Sequence, residues 1–219
     1  MTDRGVGVAK TILFLLSLGP LAYYAWSFQQ DSLGANPIEA LTRGMGDWTL
    51  RFLLLTLAVT PLRKLAGLPW LGRLRRMLGL FTFFYASLHL ATYLWFDQFF
   101  DWPAIAKDIL KRPFITAGVT AYCLLLPLAA TSFNAAIRRL GARRWRELHR
   151  TIYAIGIIAI VHFWWMVKID TREPLIYGLV LAALLGIRIW WREQERRRQE
   201  AGAYGRNMAA RVITITPRR

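Results

Sequence analysis

Six apolar runs, each close to the length that crosses a lipid hydrocarbon layer, divide this chain, and mostly polar or arginine-rich stretches lie between them. A helix rises about 1.5 Å per residue and the hydrocarbon core is about 30 Å thick, so roughly 20 apolar residues make one span. The runs fall near residues 9–28, 47–62, 77–96, 113–133, 150–168 and 174–191. With 55% hydrophobic residues in 219, the chain has too little polar surface to cover a soluble core of that size. The expected fold is all-α: a polytopic membrane protein with a six-helix transmembrane bundle over residues 1–192 and a basic cytoplasmic tail over 193–219. The second run is the short one. It carries Arg51 a turn inside its start, which requires tilt, local thinning of the bilayer, or burial of the arginine against protein.

Charge sets the orientation. The N-terminal run resembles an export signal, but its apolar part is too long and five similar runs follow, so it reads as an uncleaved first span. If the termini share a side with the second and fourth loops, that side holds 22 of the 29 Lys and Arg residues. The opposite side holds seven, with eight of the 13 acidic residues. By the positive-inside rule both termini are then cytoplasmic. The tryptophans fit: Trp26, Trp48, Trp95, Trp102, Trp164 and Trp165 fall at outer ends, and Trp70, Trp145, Trp190 and Trp191 at inner ends. Pro113 and Pro174 should open helices, Pro61 should close one, and Pro20 and Pro127 should kink the first and fourth spans. A net charge of +16 invites nucleic acid as a partner, yet the basic residues are parcelled between apolar runs, so nucleic acid is not expected and the lipid bilayer is. Cys123, the one cysteine, excludes an internal disulfide and any CxxC motif and reads as a small buried apolar residue.

The three histidines carry the chemistry. His89 and His162 lie inside the third and fifth runs, and His149 lies at the inner edge of the fifth. A metal-binding side chain inside a span is costly without a partner, and imidazole is a standard axial ligand of haem iron. Both runs point the same way. His89 is 13 residues beyond Arg76 and His162 is 12 beyond Arg150, which puts both roughly 20 Å from the inner boundary. Two histidines level with each other could clamp one haem. Ala86 and Ala159, three residues before each, would leave room for a flat macrocycle, and Tyr85 and Tyr93, four residues either side of His89, could line the pocket. An interhelical hydrogen bond is the alternative for either histidine. On a straight helix His149 points about 140° away from His162, so it would need Met77, water or a partner as co-ligand for an inner haem. Arg51 is a candidate haem-propionate partner, with snorkelling to the interface as its alternative. The tail, WREQERRRQE and then a β-prone RVITITPRR, reads as a helix extension holding anionic headgroups, or as a docking surface for an electron donor. No phosphate-cradling glycine loop or dinucleotide fingerprint occurs.

The blocks RRMLGLFTFFYASLHLATYLWFD, KRPFITAGVTAYCLLLPLAATS and WRELHRTIYAIGIIAIVHFWWMVK, in that order, resemble the MsrQ (YedZ) family within the ferric-reductase-like transmembrane superfamily. The resemblance covers nearly the whole chain. It implies a multi-pass protein of the bacterial inner membrane that binds haem b, one or two, and is associated with FMN. It also implies that electrons pass from the quinone pool or a cytosolic flavin reductase to MsrP, a periplasmic molybdenum-cofactor reductase that repairs methionine sulfoxide in proteins. Carried over by motif, His89, His149 and His162 match the family's histidines. The oxidase relatives have two histidines on each ligand helix and a cytoplasmic flavin domain. This chain has arginine or methionine at the inner position of the third run and no such domain. Two other readings stand beside this one: a cytochrome b-type quinone oxidoreductase or ferric reductase with another partner, and a haem-free small transporter or assembly factor.

Overall fold

The computed structural model describes residues 2–167 and 169–215, with side chains through residue 201. Its regular elements among those residues are all helical. They are α1 (Asp3–Gln29), α2 (Pro37–Leu65), α3 (Arg75–Thr92), α4 (Trp102–Lys111), α5 (Pro113–Ala130), α6 (Asn134–Leu148), α7 (Thr151–Met166) and α8 (Arg172–Ile215). A 3-10 turn, Pro69–Arg73, precedes α3, and a π-helical turn, Tyr93–Asp97, extends it. By length and composition four helical stretches can cross a membrane: α1, Arg75–Asp97, α5 and Arg172–Ala201. The α6–α7 pair, bent by 44°, makes a fifth if it is one span.

α2 is not in that set, and its packing explains why it can afford Asp47 and Arg51. It packs against α1, α3 and α7 and buries Met45, Leu50, Phe52, Leu53, Leu54, Leu57 and Val59. Much of its surface faces protein, with Leu55 and Leu62 exposed, and its polar groups find protein partners. The Arg51 Nε donates to the Tyr177 hydroxyl at 2.9 Å, and the guanidinium lies 4.8 Å from the Trp48 ring centre. Arg51 is half-buried against these protein partners.

Helix ends follow local chemistry. The Asn36 side chain accepts from the Glu39 amide at 3.2 Å, and Pro37 fills the first position of α2. Pro61 does not close α2, contrary to expectation: the helix runs on to Leu65. It stops at Gly67, whose φ of 63° is open to glycine, with the Leu68 amide bonded back to the Arg63 carbonyl at 3.2 Å. One amide missing at proline is tolerable in a helix held by its neighbours. α4 and α6 occupy stretches expected to be loops. The Asp101 carboxylate accepts from the Ala104 amide to start α4, and α6 breaks at Gly141, where φ is 75°. Cys123 also departs from expectation, facing outward from α5. Against lipid, an outward apolar side chain loses nothing.

Backbone contacts divide the chain into Met1–Leu181 and Ala182–Arg219. In the second unit α8 continues to Ile215, so residues 211–215 of the expected β-prone piece are helical, and 216–219 lie outside the described residues. Glu193 pairs with Arg196 and Arg197 at 3.0 and 2.9 Å, helical spacings that favour continuation.

The core lies between α1, α2 and α3. Met45, Phe52 and Val59 pack on Leu78, Phe81 and Tyr85. Tyr85 is wholly buried and its ring stacks on Phe52 at 5.3 Å. Its hydroxyl donates to the Ser17 carbonyl at 2.6 Å and accepts from the Leu21 amide at 3.2 Å. Those two groups are i, i+4 partners flanking Pro20, so α3 inserts a side chain into the ladder of α1 where proline already weakens it. Tyr85→Phe leaves both backbone groups without that partner in an apolar interior. It should lower stability by about 1–3 kcal/mol, read from thermal unfolding in detergent.

Candidate functional site

α3 and α7 carry His89 and His162 to one place: their ring centres are 6.1 Å apart, with planes crossed at 74°. Each ring is held from an adjacent helix. His89 Nδ1 lies 2.8 Å from the Thr42 carbonyl of α2, and His162 Nδ1 lies 2.7 Å from the Phe114 carbonyl of α5. A carbonyl oxygen only accepts, so each Nδ1 is the protonated donor and each Nε2 keeps its lone pair. One turn beyond each carbonyl stands a glycine. A Cβ on Gly46 would come within 3.1 Å of His89 Cε1, and one on Gly118 within 2.9 Å of His162 Cε1.

This donor set fits a haem. Two imidazoles on opposite faces of one metal, each bonded at about 2.0–2.1 Å with the ring centre about 1.1 Å further, would have centres about 6.3 Å apart. The 6.1 Å found matches that separation. No group of three or more His, Cys, Asp or Glu side chains gathers among the described residues. A bare ion therefore has no ligand set there, whereas a porphyrin brings four nitrogens of its own. Ala86 is buried and Ala159 half-buried, one turn before their histidines.

His149 follows the same pattern without a partner histidine. It ends α6, its Nδ1 lies 3.1 Å from the Trp145 carbonyl, and its ring stacks on the Trp145 indole at 3.9 Å. That indole is itself fixed, donating to the Thr131 carbonyl at 3.0 Å. The Leu128 carbonyl is close to the imidazole, but no hydrogen bond of acceptable geometry reaches Nε2, which is buried without a partner. The 140° separation expected of a straight helix does not apply, because the 44° bend between α6 and α7 falls between His149 and His162. Met77, expected as a possible co-ligand, packs against the α1–α2–α3 core cluster.

Arg51, the candidate haem-propionate partner, has its guanidinium on Tyr177 and Trp48. Five residues beyond Gly46, it points about 140° round α2 from the glycine that meets His89. It borders a cavity of about 330 Å³ lined by Gly19, Pro20, Tyr23, Tyr24 and Trp48, on the α1 side. Tyr85, expected to line the histidine pocket, commits its hydroxyl to α1. Sequence reasoning missed Thr42, Gly46, Phe114 and Gly118. The carbonyls have no signature, since any residue supplies one, but isolated glycines inside apolar helical runs are a signal of close approach.

Residues 45–160 match the family model described as the ferric reductase like transmembrane component. Three curated relatives share the printed name "Protein-methionine-sulfoxide reductase heme-binding subunit MsrQ". The one from Azospira oryzae is 61% identical, covering 90% of this chain and 83% of its own. That from Herminiimonas arsenicoxydans is 53% identical over 88% and 89%, and that from Bordetella pertussis 52% over 89% and 96%. No solved structure matches the chain. With likeness of this extent, a transmembrane family model across both α2 and α3, and several helices apolar enough to span a bilayer, this is a multi-pass membrane component of an oxidoreductase system, and it belongs to the MsrQ family of heme-binding subunits.

Proposed function

We propose that this chain holds a b haem between His89 and His162 and carries single electrons to a periplasmic methionine sulfoxide reductase with a molybdenum cofactor, MsrP. The donor is the quinone pool or a cytosolic flavin reductase. The observation that carries the reading is the ring pair, 6.1 Å apart with each Nδ1 anchored to backbone. When bound there, haem supplies a one-electron redox centre. His89 and His162 would together hold the haem, and two histidine ligands would favour electron transfer over oxygen binding. The Thr42 and Phe114 carbonyls fix the tautomers and raise the basicity of the ligating nitrogens. His149, with its buried unpaired Nε2, is the ligand we assign to a second haem nearer the cytoplasm.

The membrane arrangement proposed is six spans in the bacterial inner membrane, with α2 enclosed by the others and both termini cytoplasmic. Residues 1–192 form the haem-binding domain and 193–219 the tail. The arginine distribution supports it: Arg138, Arg139, Arg143, Arg144 and Arg146 all lie on α6, in the stretch between the fourth and fifth apolar runs. α4, between α3 and α5, then lies at the periplasmic surface. A reporter active only in the cytoplasm should work when fused after α8 and fail when inserted at residues 98–101. The reverse pattern would invert the topology.

Haem per chain tests the ligands. His89→Ala and His162→Ala should each lose the haem of their shared site, and His149→Ala about half of the total. Full haem in His149→Ala would leave one centre. Arg51→Ala should keep its haem and lose thermal stability through the missing Tyr177 and Trp48 contacts. A loss of haem would return Arg51 to the site.

A further inference from the structure

The two ligand rings are gripped by the same device used twice. On α2 the carbonyl of Thr42 takes the His89 Nδ1 proton, and Gly46, one turn on, leaves the space that the Cε1 edge of the ring occupies. On α5, Phe114 and Gly118 do the same for His162. In both cases the hydrogen-bond acceptor and the surface under the ring are main chain. The imidazole plane is thus tied to the helix that supplies its acceptor and its glycine. α2 and α5 hold the two planes at 74°.

We propose that Gly46 and Gly118 are positioning residues that set the two axial imidazole planes close to perpendicular, and so set the electronic character of the iron. This rests on the bis-histidine reading above. Each axial imidazole interacts by π overlap with one of two iron d orbitals, chosen by the orientation of its plane. Parallel rings act on the same orbital and split the pair. Crossed rings act on one orbital each and leave the pair nearly degenerate. In the ferric low-spin state near-degeneracy gives a strongly anisotropic electron paramagnetic resonance signal dominated by one very large g value. A split pair gives a rhombic signal with a smaller largest g.

The seats are graded. A Cβ at Gly118 would sit 2.9 Å from His162 Cε1, closer than non-bonded carbons come, so the ring must turn or lift. At Gly46 the distance is 3.1 Å, and a shift of a few tenths of an ångström relieves it. Gly79 is the control on α3: its Cβ would meet only Thr56 Cγ2, at 3.8 Å.

The experiment is electron paramagnetic resonance of the purified, haem-loaded, oxidised protein. Wild type and Gly79→Ala should give the same large-g signal. Gly46→Ala should lower the largest g value slightly, and Gly118→Ala should lower it more or lose that haem. If Gly118→Ala sheds its haem, the shift in Gly46→Ala decides. A rhombic wild-type signal, or spectra of both variants superimposable on wild type, overturns the proposal while leaving bis-histidine ligation intact. A wild-type protein without any low-spin signal removes the ligation reading and this proposal together.

Discussion

An imidazole inside a hydrocarbon layer has two nitrogens to satisfy, and much of this structure follows from how its histidines divide them. His89, His149 and His162 all give Nδ1 to a backbone carbonyl. That choice places the lone pair on Nε2, the atom that projects furthest from the parent helix. His149 Nε2 is buried with no hydrogen-bond partner, which is costly for a lone pair in an apolar interior. The same carbonyls are already committed within their own helices, and a carbonyl's second lone pair is what the ring uses. No side chain has to be placed, and no residue identity has to be kept at Thr42 or Phe114 for the bond itself.

The enclosing of α2 is the second consequence. The carbonyl and the glycine that hold His89 both belong to it, and the ring can approach only if the helix is near enough for main-chain contact. α2 is therefore packed tightly: a Cβ on Gly44 would run into the Tyr24 ring of α1, and Leu57 faces Gly156 of α7. Small residues at helix contacts let backbones close up in a bilayer, where no hydrophobic force drives the helices together. Enclosure also relaxes the apolarity that a lipid-facing helix needs. Arg51 can then bond Tyr177 and stack on Trp48, and Tyr85 can mend the ladder of α1 at Pro20 without meeting lipid.

The meeting of His89 and His162 was legible because it depends on quantities that vary little: 1.5 Å of rise per residue and the count from an arginine at the start of each apolar run. Counting 13 residues from Arg76 and 12 from Arg150 is enough. The apolar runs likewise announced themselves as long helices. What failed depended on breaks or on neighbours. The bend beside His149 is marked by no proline, so a straight-helix angle misplaced that ring. Pro61 looked like a terminator, while the real stop, Gly67, works through a backbone conformation that only the fold displays. The direction of Arg51 could not be read because Tyr177, its partner, lies 126 residues further along the chain.

Gly46 and Gly118 show why a site can be nearly invisible in a single sequence. Glycine inside a helix is unfavourable by about 1 kcal/mol relative to alanine, so a chain selected only for helix stability would replace both. Keeping them is reasonable where backbone must touch a ring, and each of these two has the Cε1 edge of a histidine against it. Gly79 and Gly178, in the same helices as His89 and Tyr177, meet nothing closer than 3.6 Å. The difference between the two kinds of glycine lies in what crosses from the next helix, and one-dimensional pattern does not carry that. The ring planes are thus determined by the axes of α2 and α5, elements that contribute no ligand of their own.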